Sequence, residues 1–531
     1  MINLLAVTFL VWVGVKFIYR LHWHPLCHIP GPKCAAISHL YEFYYDVVKG
    51  GTYLFEVQKM HRKYGEPSRC FRPEIITQAN VGRFMTGPIV RINPREVHIA
   101  DPDFYDDIYS SAARTRWKDP KQVPMIGAPF SMGATWHHDH HKFRRGLIKN
   151  HFSRQSINRI SPKIRQKVDK FCDRLEEASK SARPVNMSDA FAALTSDIIA
   201  GYAFDLELEF LSDPQFKNDI YRSALELDML CHVLKFFPFI LKPVRWLPSQ
   251  LTIFLGLQNK SLRSLQDIID KQIILKSFQA DLCEKDENRT TENIFTSLCN
   301  PRVPAEERTL DRLRDESLVL LIAGAEATAR ALAVFAYYAA SGSICLNRLR
   351  KELREVLPDA KSHASWPQLE HLPYLKGVVN ESLRLSFGAV GRLSRMAPTE
   401  DLNYKGIKIP KKTPMSSSAY LIHMNPDVFP EPERFSPDRW LKAAASGINL
   451  ERYLVAFSRG TRQCIGINLA QCQLHFTIAA VAQRFDFDLF DTKLEDIQVT
   501  RDYITAFPQD GLFDVKCTIR SSTVEYVREV Y

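Results

Sequence analysis

Several common signatures are missing from this sequence of 531 residues, and each absence removes a class of protein. Neither G-x-S-x-G nor G-x-G-x-x-G occurs, so α/β serine hydrolases and dinucleotide-binding dehydrogenases find no support. The 11 cysteines never form a C-x-x-C pair, which argues against a structural zinc site and a disulfide framework. No long Lys/Arg run concentrates the net charge of +10, so we expect no nucleic-acid partner.

What is present favours one large globular body. Hydrophobic residues make up 45% of the chain and charged residues 24%, and no internal repeat of fixed period occurs. Helical periodicity dominates, and the strand-like segments are short and do not alternate regularly with the helices. The sequence therefore predicts a mainly α fold with small β-sheets. We expect helices at 136–152, 157–178, 188–202, 310–340, 346–357 and 369–385, and strands at 89–92, 97–99, 402–409 and 512–519.

The N-terminus carries the longest continuous apolar run of the early sequence. Residues 2–19 are almost wholly apolar and just long enough to span a bilayer, so we predict a transmembrane signal anchor over 2–20. A cleaved secretory signal is the alternative. Lys16 and Arg20 favour a cytosolic location for the rest of the chain. The proline-rich segment HPLCHIPGPK predicts a stiff hinge over 21–35, followed by the main domain over 36–531.

A cysteine lies in a glycine-bearing loop near the C-terminus, directly before an amphipathic helix. The motif is Phe457-Ser-Arg-Gly460-Thr-Arg462-Gln-Cys464-Ile-Gly466. Exposed N–H groups at a helix start favour a thiolate, the form that binds metal. The glycines would allow a flat cofactor to approach the backbone, Arg462 could reach a carboxylate, and Phe457 could shield the sulfur. A buried free cysteine in a tight turn is the alternative.

This motif, F-x-x-G-x-R-x-C-x-G, resembles the haem-binding loop of the cytochrome P-450 superfamily of haem-thiolate monooxygenases. The hinge and the segment RINPREVHI resemble fungal members that act in secondary metabolism. The resemblance implies the P-450 fold as a single large haem domain, haem b as cofactor and Cys464 as the axial ligand of its iron. It also implies the use of O2, with electrons from NADPH through a flavoprotein reductase, on the cytosolic face of the endoplasmic reticulum membrane.

Two charged residues three positions apart resemble the E-x-x-R pair of the family's K-helix. They are Glu381 and Arg384, and the resemblance adds Arg439 in PEPERFSPDRW as a third member. We expect the three to form a structural network of ion pairs that is needed for the holoprotein but does no chemistry. A solvated surface pair is the alternative.

An acidic residue, Glu326, lies within the apolar helix SLVLLIAGAEATARALAVFAYY, and its burial there requires an explanation. This segment resembles the family's I-helix motif, in which an acid and an alcohol relay protons to dioxygen, with Gly324 leaving room for the gas. By that resemblance Glu326 and Thr328 are the catalytic candidates. Ala327 stands where the family usually has threonine, which leaves the threonine role unassigned. The alternative is that Glu326 simply pairs with Arg330.

Basic residues elsewhere resemble those that bind the haem propionates. The segment HKFRRGLIKNHFS is similar to the family's C-helix pattern. A histidine metal site in the preceding WHHDHH segment is a weaker reading, because no H-E-x-x-H motif is present. The residues expected at the propionates are His141, Arg145, Arg392 and Arg462.

One stretch, 66–86, interrupts the family resemblance. Its flanks would join smoothly as KYGPIVRINP without it, and it lacks a clean period. We expect a retained intron or a misplaced exon boundary; a real surface loop is the alternative.

The substrate is expected to be lipophilic. The segments 117–132, 385–393 and 505–508, which the resemblance places over the haem, carry few charges. We predict hydroxylation or epoxidation of a terpenoid or polyketide. Two alternatives stay open: a haem-thiolate isomerase or dehydratase that turns over without a reductase, and a non-catalytic membrane protein that binds haem or lipid.

Overall fold

The computed structural model describes most of the chain. The suspected insertion at 66–86 lies outside the described residues, so that prediction stays untested. The described residues are 2–64, 89–111, 113–240, 266–271, 294–358, 362–509 and 511–522.

Helices form most of the described structure, as predicted. Most of the six helices expected in the main domain lie within a few residues of their predicted positions. The described helices are α1 (Ile2–His22), α2 (Lys33–Ile37), α3 (Leu40–Phe43), α4 (Tyr53–Tyr64), α5 (Tyr105–Ile108), α6 (His138–Ile148), α7 (Arg154–Lys180), α8 (Met187–Phe204), α9 (Asp219–Asp228), α10 (Cys231–Phe236), α11 (Ile294–Cys299), α12 (Leu310–Ala340), α13 (Leu346–Leu353), α14 (Trp366–Glu370), α15 (Pro373–Ser386), α16 (Ala419–His423), α17 (Asp438–Ala445) and α18 (Ile467–Arg484).

The long helix α12 is the centre of the core. Thr309 caps its first turn by accepting a hydrogen bond from the backbone N–H of Arg312. Its side chains are buried around most of its circumference, because α8, α15 and α18 pack against it from different sides. A helix this apolar has no face for water, which is why its bounds follow directly from the sequence.

Short strands form four small sheets at the edges of the helical core. The largest has the order β1-β2-β8-β5-β3, and only its β2–β8 pair is parallel. In the three-stranded sheet β4-β12-β9, Cys517 lies opposite both Val185 and Leu489. The strands are β1 (Ile89–Arg91), β2 (Val97–Ile99), β3 (Trp117–Lys118), β4 (Val185–Asn186), β5 (Arg395–Met396), β6 (Leu402–Tyr404), β7 (Ile407–Ile409), β8 (Met415–Ser416), β9 (Phe485–Leu489), β10 (Arg501–Tyr503), β11 (Thr505–Phe507) and β12 (Lys516–Ser521).

The N-terminal helix stands apart from the core. Its segment Leu4–His22 has a mean hydropathy of 1.8 and buries none of its length inside the protein, so length and composition would let it cross a membrane. α12 passes the same test, but 67% of its 18-residue apolar window is buried, as expected of a core helix. The hinge after α1 lies along β1, where the N–H of Arg91 donates to the carbonyl of Pro30 at 2.7 Å.

Candidate active site

A largely apolar cavity of about 450 Å³ lies between α12 and the cysteine loop. Cys464 and Phe457 border it on the loop side, and Ala327 and Thr328 border it on the side of α12. A cavity of this size and lining is typical of a site for a lipophilic small molecule or a cofactor. The structure therefore brings the cysteine motif and the motif of α12 to one enclosed space.

The cysteine loop presents its sulfur to this cavity. The backbone N–H of Cys464 donates to the carbonyl of Phe457 at 2.9 Å, which closes the loop just before α18 begins. Burial raises the pKa of the Cys464 thiol, while the backbone N–H of Gly466 and the charge of Arg145 act in the opposite direction. The net effect is upward, so the loop alone does not provide the thiolate that the helix start was expected to favour; a metal cation at the sulfur would.

Gly460 allows the cysteine loop to pack closely against a neighbouring segment of backbone. It adopts a φ of +73°, and a Cβ there would overlap the backbone carbonyl oxygens of Tyr109 and Ser110. The glycine therefore lets the loop lie against the segment after α5, whereas Gly466 borders the cavity itself. That both glycines also make room for a flat cofactor stays a prediction.

Positive charge collects at the rim of the cavity around Arg462. This arginine is buried and donates to the carbonyls of Thr135 and Trp136, both at 2.7 Å, while its Nε has no partner among the described residues. Burial and the nearby charge of Arg395 lower its pKa to about 9. His141 is buried as well, and its pKa is lowered to about 2 by this burial and by the charges of Arg462, Lys118, Arg145 and Arg395.

A cluster of buried cations is stable only with compensating negative charge. Among the described residues, Arg462, Arg395 and Lys118 donate hydrogen bonds to backbone carbonyl oxygens and form no ion pair with an acidic side chain. The Ser417 Oγ, which borders the cavity, also lacks a partner in this part of the chain. An anionic cofactor with carboxylates at its edge would satisfy these groups. The donor set therefore fits haem, whose propionates carry that charge.

Arg392 does not belong to this rim. Its guanidinium donates to Glu42 at 2.8 Å and also contacts Asp46 and Glu96, so its charge is already compensated on the far side of the strand segment. The prediction of a propionate contact for Arg392 is not supported by this structure. In an extended chain, side chains three positions apart point to opposite faces, so Arg395 points away from the side of Arg392. It is Arg395 that faces Arg462.

The predicted ion-pair residues lie together next to the cysteine loop. Glu381 is fully buried and accepts from Arg384 at 2.7 and 3.0 Å, from Arg439 at 3.0 Å, from the Ser436 backbone N–H and from the indole of Trp440, both at 2.9 Å. The guanidinium N–H groups of Arg384 also donate to the backbone carbonyls of His423, Pro432 and Arg434. Every strong hydrogen-bonding position of the carboxylate is thus occupied.

His423 links this cluster to the cysteine loop. Its Nδ1 donates to the carbonyl of Arg384 and its Nε2 accepts from the N–H of Val455, both at 2.9 Å. Burial and the charge of Arg384 lower the pKa of His423 to about 3, which keeps the ring neutral and able to make both bonds. No short sequence motif marks His423, so it is not among the residues predicted for the site.

On α12 the acid pairs with the arginine one turn later. Glu326 accepts from Arg330 at 2.9 Å, and Arg330 also donates to the carbonyl of Ala506. The alternative pairing raised from the sequence is therefore present, while Glu326 still borders the cavity. A second acid, Asp228 at the end of α9, also borders the cavity and shares a hydrogen bond with Glu326.

Gly324 serves helix packing. A Cβ at this position would lie 2.6 Å from the Ile199 Cγ1, so the missing side chain lets α8 approach α12 closely. Gly324 also borders the cavity, and its expected role of making room for dioxygen stays a prediction.

Comparison with known proteins gives a consistent result. The family model "Cytochrome P450" matches residues 95–511. The chain is 41% identical over 515 residues to the cytochrome P450 monooxygenase aflU of Aspergillus parasiticus, which covers 96% of each protein. It is 40% identical over 509 residues to the conidiogenone synthase PchP450 of Penicillium rubens, covering 94% of this chain and 96% of that one. The cytochrome P450 monooxygenase TRI4 of Fusarium sporotrichioides is 35% identical over 508 residues, or 96% of this chain and 93% of the relative.

Proposed function

The chain belongs to the cytochrome P450 family, among the fungal monooxygenases of secondary metabolism, and from this premise we propose that it hydroxylates or epoxidises a terpenoid or polyketide. Cys464 would bind the iron of haem b, and NADPH would supply the electrons through a flavoprotein reductase. The observation that carries the proposal is the position of Cys464 at an apolar cavity that is also bordered by Arg462, a buried arginine whose Nε has no partner among the described residues.

Haem, when bound, supplies the activation of O2 and the insertion of one oxygen atom into the substrate. Its propionates would meet Arg462, His141 and Arg145, with Lys118 and Arg395 adding positive charge at the same rim. Phe457 borders the cavity beside Cys464 and would help to exclude water from the sulfur, which strengthens each electrostatic interaction there.

Proton supply falls to the polar side chains on α12. Glu326 is held in one orientation by Arg330, and Thr328 borders the same cavity one residue after Ala327. With no threonine at 327, the Glu326 carboxylate would accept and pass on a proton at the cavity wall, where Thr328 provides a hydroxyl. Glu381, Arg384 and Arg439 do no chemistry and act by fixing the loop through His423.

The apolar helix α1 supports a single-pass anchor in the endoplasmic reticulum membrane, with the haem domain in the cytosol. None of its apolar segment is buried among the described residues, so a bilayer is the environment that would cover it. The domain limits 2–20, 21–35 and 36–531 are part of this proposal. Membranes from cells that express the chain are therefore the material to test.

The deciding experiment is the reduced, carbon monoxide-bound difference spectrum of microsomes that contain the full chain or its Cys464→Ala variant. We expect a thiolate-type Soret band in the wild type and its complete loss in the variant. Cys472→Ala is the matched control, because that cysteine is buried in α18 only eight residues later.

Retention of the thiolate band in Cys464→Ala, or its loss in both variants, would contradict the assignment of the ligand. Product formation from a panel of lipophilic terpenoids and polyketides should also require NADPH and the reductase. Turnover without either would instead favour an isomerase or dehydratase.

A further inference from the structure

The cavity wall carries one polar group that the oxygenation chemistry does not require. Asp228, the last residue of α9, borders the cavity together with Glu326 of α12. Most of the residues that line this cavity are apolar, among them Ile199, Leu320 and Ile504. A carboxyl group in such surroundings needs a hydrogen-bonding partner, because burial without one is costly.

The carboxyl of Asp228 is held in place by a chain of contacts. It shares a hydrogen bond with Glu326, which accepts from Arg330 at 2.9 Å. Arg330 is in turn fixed by the carbonyl of Ala506 and by the faces of Phe507 and Phe513, at 5.3 and 5.2 Å from the ring centroids. The position of Asp228 in the cavity is therefore set by three elements and does not depend on a ligand.

Two carboxyl groups, those of Asp228 and Glu326, lie together at this position. Burial and the neighbouring Glu326 carboxyl raise the pKa of Asp228 well above its usual range, and the charge of Arg330 opposes this only in part. In its protonated form Asp228 donates to Glu326, and its other oxygen can accept a hydrogen bond at the cavity that the residue borders. An O–H group on a bound molecule is the matching donor.

We propose that Asp228 is a specificity-determining residue that binds a hydroxyl group of an otherwise apolar substrate. The inference rests on the proposed function and deepens it, since it places the reaction after a step that has already left an alcohol on the skeleton. A site built to bond a hydroxyl rejects the analogue that lacks it far more strongly than an apolar pocket rejects an added group.

The test uses ligands that the iron of any loaded enzyme can bind. Alkylimidazoles and the corresponding imidazolyl alkanols, in a series of increasing chain length, are titrated into the purified full-length holoenzyme and followed by the red shift of the Soret band. We expect the alcohol to bind about 10-fold more tightly than the alkane at one chain length, where its hydroxyl reaches Asp228.

Three variants separate recognition from folding. Asp228→Leu should reduce the alcohol-to-alkane ratio to about 1 and leave the affinity for the alkane within about 2-fold, because only a hydrogen bond is removed. Asp228→Asn should keep most of the preference, since its amide can donate to Glu326 and offer an oxygen to the cavity. Glu226→Leu removes an exposed acid from the same helix and should change nothing.

A ratio near 1 at every chain length in the wild type, or an unchanged ratio in Asp228→Leu, overturns the assignment. A variant that keeps the ratio but changes the solvent isotope effect on turnover would make Asp228 a proton donor, and this too refutes the recognition role. These failures are distinct from failure of the proposed function, which would show as the absence of the carbon monoxide band in the wild type.

Discussion

Replacing Glu381 by glutamine should prevent accumulation of the holoprotein. The carboxylate is fully buried and accepts five hydrogen bonds, three of them from the guanidinium groups of Arg384 and Arg439. Removing one partner of a buried ion pair costs about 3 to 5 kcal/mol, because it leaves the remaining charges uncompensated. A domain with a total stability of about 5 to 15 kcal/mol loses a large part of it.

The chain offers a matched control for this change. Glu431 and Arg434 form a pair with the same three-residue spacing at 3.0 Å, but both side chains are about 70% exposed (71% and 69%). Glu431→Gln should therefore cost no more than about 0.5 kcal/mol. Both variants are compared by urea denaturation and by the yield of the carbon monoxide band. A Glu381→Gln protein with the urea midpoint and band of the control would refute the reasoning.

Two further predictions concern pH and backbone conformation. Burial raises the pKa of Glu307, but hydrogen bonds from Arg144 and His140 outweigh this effect and lower the pKa from 4.5 to about 2. The stabilisation that these bonds give to the folded protein is therefore complete above about pH 4.5 and is lost as the pH falls toward 2. In urea denaturation Glu307→Gln should remove this part of the acid sensitivity; an unchanged pH profile would contradict it. Gly460→Ala should abolish the holoprotein, because its Cβ would overlap two carbonyls, whereas Gly447→Ala, at a similar φ of +70° with open space around it, should cost only about 1 kcal/mol. Equal carbon monoxide bands in the two variants would exclude the steric explanation.

The parts of the fold that follow from local pattern were the most predictable. The bounds of α12 match the sequence prediction because the helix is apolar throughout and is capped by Thr309. The helix expected at 369–385 instead divides into α14 and α15, because Pro373 begins a new helix at its first turn. The strand expected at 402–409 is a hairpin, with Lys405 and Gly406 both at positive φ in its turn.

The site was predictable where a motif is contiguous. Cys464 and its loop residues are named by ten adjacent positions, and the E-x-x-R pair by four. Asp228 escaped notice because 98 positions separate it from Glu326, and only the packing of α9 over α12 brings the two carboxyls together. Lys118 and Arg395 were missed for the same reason, since their charge matters only beside Arg462.

The central strand of the β4-β12-β9 sheet has a consequence for synthesis on the ribosome. Val185 and Leu489 can be joined only through Cys517, which is translated after both. Until that residue leaves the exit tunnel, the early half of the protein carries β4 with an open edge that invites pairing with another chain. The rate at which the last segment is translated, and any chaperone that covers β4 meanwhile, should thus set the yield of native enzyme.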